Sequence, residues 1–266
     1  DARLFDAVKA ASDFSVALGI SIPVGKDSLS MRTKWEAEGE QKSVTSPVSL
    51  IVSAAAPVED VSKTLTPELK RDPASVLVLV DLGAGKNRLG GSILAQVTQR
   101  FGDTAPDCEN AAELARFFVT VRRLTDSGAL LAYHDRSDGG LFATLAEMMF
   151  ASRLGVSLNL SSLLEAEGAN VWNVLFNEEL GAVLQVRADR VEELVAAMRE
   201  EGLSHLCHFI GEVTEGELLT ISSDDCPNAC FTREELQTAW TEVSHQIARG
   251  RDNPACADQE FARIAD

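Results

Sequence analysis

The sequence predicts an α/β protein, and three observations carry that expectation. Ser75-Val-Leu-Val-Leu-Val-Asp81 is an almost continuous apolar run, the pattern of a central strand covered on both faces. Strand-like runs at 128–132, 155–160, 180–186, 208–213 and 217–222 alternate with helical apolar patterns at 110–125, 140–152 and 189–201. Hydrophobic residues make up 45% of the 266 and charged residues 24%, ordinary globular material able to bury a sizeable core. That length means one large or two modest domains.

In chain order, Leu4, Val8, Ala11, Ser15 and Leu18 recur at helical spacing, with Phe5 and Phe14 beside them, and Gly19 ends the helix. Ile20–Val24 is expected as a short strand leading into Gly25-Lys26-Asp27-Ser28. This turn joins a glycine, a cation, a carboxylate and a hydroxyl, a set suited to a phosphate-bearing ligand held by Lys26, Ser28 and backbone N–H groups. It is not a P-loop, because the upstream glycine is missing and Asp27 follows the lysine. A surface ion pair between Lys26 and Asp27 is the plain alternative. Residues 35–42 read as a polar hairpin tip. Residues 44–56 are β-rich, with Val48–Ser53 expected as a buried strand that Pro57 ends. Pro57, Pro67 and Pro73, among many charges, mark 57–73 as a domain boundary.

After strand 75–81, the glycine-rich stretch Leu82–Gly91 precedes a helix expected from Ser92 to about Phe101. It looks like a phosphate-binding strand-to-helix loop, yet Gly83 and Gly85 are followed by Lys-Asn-Arg-Leu before Gly90, a poor fit to G-x-G-x-x-G. Tight helix packing is the alternative. Asn110–Thr125 is amphipathic, with Leu114, Phe117, Phe118, Val121 and Leu124 apolar. Glu178 and Glu179 stand at the mouth of strand 180–186, as metal ligands, as holders of a ligand amine, or as a solvated loop. The runs 208–213 and 217–222 predict a hairpin around Glu215-Gly216. Thr232, with Glu235 at the capping-box position, starts a last helix to about Ala248. Arg249–Asp266 is polar and is expected to have no core of its own.

Charge and cysteines narrow the function. A net charge of −17 argues against nucleic acid or an anionic membrane as the main partner. Five scattered cysteines do not make a disulfide framework, and Cys226…Cys230 lacks a second pair at zinc-like spacing. Reduced thiols suit a cytoplasmic protein. No apolar run approaches 18 residues, and no leader pattern is present. Asp1 already falls inside a helical pattern, so a piece of a longer chain is expected. The four histidines show no ligand spacing, and no Ser-His-Asp or activated-cysteine arrangement stands out.

The richest stretch is Ala132-Tyr-His-Asp-Arg-Ser-Asp-Gly-Gly-Leu141, between an apolar run and a helical pattern. At such a turn the first N–H groups of the helix lack internal partners, and the helix dipole adds positive charge. Asp135, Ser137 and Asp138 supply oxygens suited to Mg²⁺, and Gly139 and Gly140 allow close backbone approach. Phosphate-accepting N–H groups beside metal-binding carboxylates are what a nucleotide needs. A helix N-cap and turn, built from the same residue types, is the alternative.

Five motifs in register carry a resemblance over residues 1 to 266: Pro23-Val-Gly-Lys-Asp-Ser-Leu-Ser-Met31, Asp81-Leu-Gly…Asn87-Arg-Leu-Gly-Gly-Ser92, His134-Asp-Arg-Ser-Asp-Gly-Gly-Leu141, Phe176-Asn-Glu-Glu-Leu180 and Arg251-Asp-Asn-Pro254. In this order they resemble the large, single-chain phosphoribosylformylglycinamidine synthases (PurL) of purine biosynthesis. The resemblance implies a fold shared with aminoimidazole ribotide synthetase (PurM) and hydrogenase-maturation proteins. Residues 1–68 would end an N-terminal-type domain, 72–223 would form a C-terminal-type α/β domain, and 230–266 would lead toward a glutaminase domain. It implies an ATP-dependent amidotransferase that uses Mg²⁺ and turns formylglycinamide ribotide and glutamine into formylglycinamidine ribotide. It also implies contacts with the other synthetase half and the glutaminase. Asp135 would be a magnesium ligand, and Ser137, Gly139 and Gly140 would bind the nucleotide, ATP or ADP. Gly25, Lys26 and Ser28 match a substrate-binding loop whose lysine position is usually asparagine. A charged lysine cannot ligate Mg²⁺, so a phosphate contact is expected of Lys26. In these enzymes this half resembles an auxiliary nucleotide site, so a scaffold around a structural Mg-ADP is the alternative function.

Overall fold

The computed structural model describes every residue except Asp1, Asp27, Leu29, Ser30, Asp103 and residues 224–227. The chain divides into two compact units, Asp1–Val61 with Asn110–Ala115, and Ser62–Glu109 with Arg116–Asp266.

The first unit holds helix α1 (Ala2–Leu18) and a hairpin. Gly19, at φ +69°, ends α1, and the Gly19 and Ile20 N–H groups donate back to Val16 and Ser15 carbonyls. No residue of α1 is buried. Strands β1 (Arg32–Ala37) and β2 (Glu40–Thr45) pair antiparallel across Glu38-Gly39. Both turn residues have positive φ, 57° and 77°, as a two-residue hairpin with the strands' own twist requires. The expected strands at 20–24 and 48–53 do not form. A strand exists only where a neighbour takes up its backbone hydrogen bonds, and no described strand pairs with either run. Their apolar side chains lie in the open, Ile51 at 92% exposure.

The second unit is built on seven strands: β3 (Val76–Asp81), β4 (Leu130–Asp135), β5 (Gly155–Asn159), β6 (Gly181–Val186), β7 (Cys207–Thr214), β8 (Leu218–Ser222) and β9 (Ala229–Thr232). Their order is β4-β6-β3-β7-β5-β8-β9, with every neighbour antiparallel except β5 and β8. The apolar run of β3 puts it inside the sheet, where Leu77, Val78, Leu79 and Val80 are all buried. The hairpin expected between 208–213 and 217–222 is split. Strand β5 lies between β7 and β8, antiparallel to one and parallel to the other. Gly155, at the head of β5, has no room for a side chain: a Cβ there would collide with the Gly216 and Leu218 carbonyls of that connection.

The helices are α2 (Ile93–Val97), α3 (Ala111–Asp126), α4 (Gly140–Ser152), α5 (Ser161–Leu164), α6 (Val171–Phe176), α7 (Val191–Glu200), α8 (Arg233–Arg251) and α9 (Pro254–Ala262). Ser92 caps α2, as read from the sequence, but the helix ends at Val97, not near Phe101. Helix α4 is apolar around most of its circumference. It buries Leu141, Leu145, Met148 and Met149 in one cluster with Leu77 and Leu79 of β3, Val156 and Leu158 of β5, and Val174 and Leu175 of α6. Thr232 and Glu235 form the expected capping box of α8. The tail holds a helix that composition hid. Asn253 caps α9, Pro254 fills its first turn, and Ala257 and Ile264 are buried. Arg233, itself buried, donates to the Ile264 carbonyl at 2.9 Å and so ties the tail to the start of α8.

Candidate nucleotide site

The stretch from His134 to Gly140 is a strand-to-helix turn, running off β4 into α4. Residues of a strand alternate between faces. His134 turns to one side, where its Nε2 lies 2.7 Å from Glu147 Oε2 of α4. Tyr133 and Asp135 share the other face, and the Tyr133 hydroxyl donates to Asp135 Oδ1 at 2.6 Å. Burial first, then this hydrogen bond, pushes the phenol's pKa up. The backbone at Asp135 is held from two sides: Thr144 Oγ1 donates to its carbonyl at 3.2 Å, and the next N–H, of Arg136, donates to Gly181 O at 2.9 Å.

Asp135, Ser137 and Asp138 are exposed. None of them caps α4. The cap is Gly139, at φ +81°, with no side-chain hydrogen bond. No hydrogen bond of the Ser137 hydroxyl or the Asp138 carboxylate occurs among the described residues. Gly140, at φ +67°, is needed for packing: a Cβ there would lie 2.6 Å from the Asn177 carbonyl oxygen and 2.7 Å from that of Leu175. The close approach is therefore to the end of α6. The Gly140 N–H itself donates to Ser137 O at 2.9 Å.

Under the turn sits a buried ion pair. Arg136 is 4% exposed and faces Asp81, at the end of β3. Its Nε donates to Glu179 O at 2.8 Å and its Nη2 to Leu180 O at 3.0 Å. Asp81 Oδ1 and Oδ2 also accept the N–H groups of Gly83 and Gly85, at 3.1 and 2.7 Å. Burial alone would raise the Asp81 pKa, but Arg136 and the Gly85 N–H outweigh it and hold the carboxyl below its ordinary value. The glycine-rich loop after β3 thus spends its N–H groups on the chain's own carboxylate.

Glu178 and Glu179 are neither a solvated loop nor part of a metal cluster; no group of three or more metal-ligating side chains occurs among the described residues. Glu179 is 1% exposed and grips Arg88 through Nε at 2.6 Å, Nη2 at 2.8 Å and the backbone N–H at 3.1 Å. The hydrogen bond to Glu179 raises the Arg88 pKa further. Glu178 Oε1 accepts the N–H of Ile93, at the start of α2, at 2.8 Å, and that of Gly139, the cap of α4, at 2.9 Å. A carboxylate of the chain therefore already occupies the α4 cap N–H offered to phosphate. Sequence reading missed Asp81, Arg88, Arg136, Glu178 and Glu179 as a set, because their partners lie 39 to 91 residues away. Three of the quoted motifs nonetheless contain them, Asp81 and Arg88 in one, Arg136 in the second, Glu178 and Glu179 in the third.

Gly25, Lys26 and Ser28 lie on the exposed segment after α1, in the N-terminal unit. Lys26 Nζ donates to Ser28 Oγ at 2.8 Å. The expected Lys26–Asp27 pair falls outside the described residues, as does Cys226. Cys207, Cys230 and Cys256 are free thiols.

A family model described as "AIR synthase related protein, C-terminal domain" matches residues 73–223. The chain belongs to the AIR synthase related family. A second model, "FGAR-AT PurM_N-like domain", matches residues 1–57, and the two in this order make the chain PurL-like, as its motifs suggested. Three solved structures share the fold. Thermotoga maritima PurL complexed with ATP aligns at 11% identity and TM-score 0.60, over 86% of this chain and 34% of that one. The same organism's PurL complexed with FGAR aligns at 13% identity and TM-score 0.57, over 84% and 36%. The PurLQS structure of T. maritima aligns at 14% and 0.53, over 66% and 28%. The chain spans about a third of the length of these structures. Within the AIR synthase related domain, the matched region holds the whole β4–α4 turn and every carboxylate of the buried network. No helix among the described residues is long and apolar enough to cross a membrane.

Proposed function

We propose that this chain is part of an ATP-dependent amidotransferase that makes formylglycinamidine ribotide from formylglycinamide ribotide, glutamine and ATP, and that the β4–α4 turn binds its nucleotide. The observation that carries this reading is the pair of family matches in PurL order, with Asp135 and Ser137 exposed at the strand end inside the larger one. Relatives of the same fold bind ATP and FGAR by their names. Residues 1–68 serve as the end of an N-terminal-type domain, 72–223 as the C-terminal-type domain and 230–266 as the lead toward a glutaminase, in a cytoplasmic enzyme.

The donor set at the turn suits Mg²⁺. This ion takes one or two carboxylates and fills its remaining positions with water and phosphate oxygens, without a protein cage. Asp135 offers one exposed carboxylate, and its Oδ2 takes no hydrogen bond among the described residues. Bound there, Mg²⁺ would neutralise phosphate charge. Asp135 holds the nucleotide's cation, and the Ser137 hydroxyl contacts its phosphates. Gly139 and Gly140 shape the turn, since their N–H groups are already engaged. In the N-terminal unit, Gly25 leaves the loop open, and Lys26 and Ser28 contact the phosphate of the substrate. The protein's share in such chemistry is positioning and charge stabilisation.

The test is nucleotide content and turnover of the full-length protein and its Asp135→Asn variant. Loss of bound nucleotide together with loss of turnover supports an active nucleotide site. Loss of bound nucleotide with turnover intact assigns a structural Mg-ADP. Unchanged nucleotide content overturns the site. The 266-residue chain alone is expected to make no product.

A further inference from the structure

Magnesium binding through a single exposed carboxylate raises the question of what fixes that carboxylate. A free aspartate rotates, and a ligand that must find its orientation on each binding event binds more weakly. Here the rotation is restrained. Tyr133 precedes Asp135 by two residues on β4, so strand alternation puts both side chains on one face. The Tyr133 hydroxyl holds Oδ1 at 2.6 Å, and Oδ2 is left without a hydrogen bond among the described residues. The phenol ring is itself partly buried, and its strand is paired with β6 at Tyr133↔Leu184 and Asp135↔Ala182. Thr144 fixes the Asp135 carbonyl from α4. The donor therefore stands at the end of a strand paired within the sheet and not in the turn that follows it.

We propose that Tyr133 is a positioning residue for the nucleotide's divalent cation: it pins Asp135 Oδ1 so that Oδ2 faces the metal. The inference rests on the reading of Asp135 as a metal ligand. Outer partners of metal-binding side chains typically contribute ten- to hundredfold in metal affinity.

The experiment measures Mn²⁺ affinity by electron paramagnetic resonance, and Mg²⁺-dependent ADP binding by calorimetry, on the full-length protein. The variants are Tyr133→Phe, Asp135→Asn and the double variant. Tyr133→Phe is expected to weaken the metal-dependent affinity about tenfold and to leave the nucleotide-free melting temperature unchanged. In the Asp135→Asn background the same replacement is expected to change nothing more. If Asp135→Asn binds metal and ADP like the wild type, the parent reading of the site is overturned. If Asp135→Asn loses both and Tyr133→Phe loses neither, the positioning role alone is overturned. An equal loss from Tyr133→Phe in both backgrounds, with a lower melting temperature, shows a packing role and also overturns it.

Discussion

The two turns marked for phosphate carry similar chemistry on unlike foundations. The segment that bears Gly25, Lys26 and Ser28 follows a helix with no buried residue, and the apolar run before it, Ile20–Val24, stands exposed. The His134–Gly140 turn leaves a strand of a seven-stranded sheet, and a buried Arg136–Asp81 pair lies directly beneath it. A hydroxyl or carboxylate is only as well aimed as the backbone that bears it. The difference also shows in how anion sites are filled. In the second unit, Asp81, Glu178 and Glu179 accept the N–H groups of Gly83, Gly85, Arg88, Ile93 and Gly139. These are backbone donors that a glycine-rich reading assigns to phosphate. With the Gly139 and Gly140 N–H groups engaged, the turn keeps the Asp135 carboxylate and the Ser137 hydroxyl exposed, an arrangement that suits a cation between protein and phosphate.

The largest effect is expected from breaking the foundation. Arg136→Ala leaves Asp81 buried and unpaired, and removing one partner of such a pair costs about 3–5 kcal/mol. Urea unfolding of the full-length protein should show that drop, and an unchanged midpoint would mean the turn stands without the pair. Acid acts on the same pair. The Asp81 pKa is lower in the folded state, so its stabilisation is complete above the unfolded value of about 3.9 and is lost as pH falls through the folded value. Wild-type stability should therefore decline below about pH 4 more steeply than that of Asp81→Asn, measured by urea midpoints across pH 7 to 2.

Asp135→Asn ranks next, because its effect passes through the ligand. With nucleotide at a thousandfold excess over its dissociation constant, binding stabilises by about 4 kcal/mol. The variant should lose most of that gain and still melt like the wild type without nucleotide. A ligand-free loss would move Asp135 into the foundation and erase the contrast between support and site. Ser137→Ala should follow the same trend more weakly, by about 1 kcal/mol.

Gly140→Ala tests the packing directly. A methyl group at φ +67°, within 2.6 Å of the Asn177 carbonyl oxygen, costs about 1–3 kcal/mol in backbone strain before the collision is counted. Thermal melting without nucleotide reads it, and a wild-type melting curve would return Gly140 to the ligand.

What could be read from the sequence follows the range of the interactions. The β3 strand, the amphipathic α3 and α7, and the Thr232–Glu235 box are written in neighbouring residues, and their patterns were plain. The split of β7 from β8 was hidden, because nothing in 208–222 shows that β5, more than fifty residues earlier, inserts between them. Val48–Ser53 misled for the opposite reason: its β pattern is strong, and pairing partners decide whether a strand forms. In the candidate site, the strand-to-helix turn that bears Asp135 and Ser137 was legible from motif and position. The roles of Glu178 and Glu179 were not, since Ile93, Gly139 and Arg88 come to them only through the fold.

The smallest change in stability is expected at Lys26, where the comparison is sharpest. Lys26 Nζ donates to Ser28 Oγ at 2.8 Å on an exposed segment. Exposed polar contacts of this kind contribute about 0–1 kcal/mol, because solvent and side-chain entropy offset most of the attraction. Lys26→Ala should therefore leave the melting temperature of the full-length protein almost unchanged. A phosphate contact differs, since a charge-assisted hydrogen bond to an anion contributes roughly 1.5–3 kcal/mol. Affinity for the phosphate-bearing substrate or the nucleotide should fall by about ten- to a hundredfold, read by calorimetry and by KM. Lys26→Arg, which keeps the charge, should restore part of it. Unchanged binding and kinetic constants beside a lowered melting temperature would show that Lys26 supports the N-terminal unit. The two turns would then differ in function as well as in foundation.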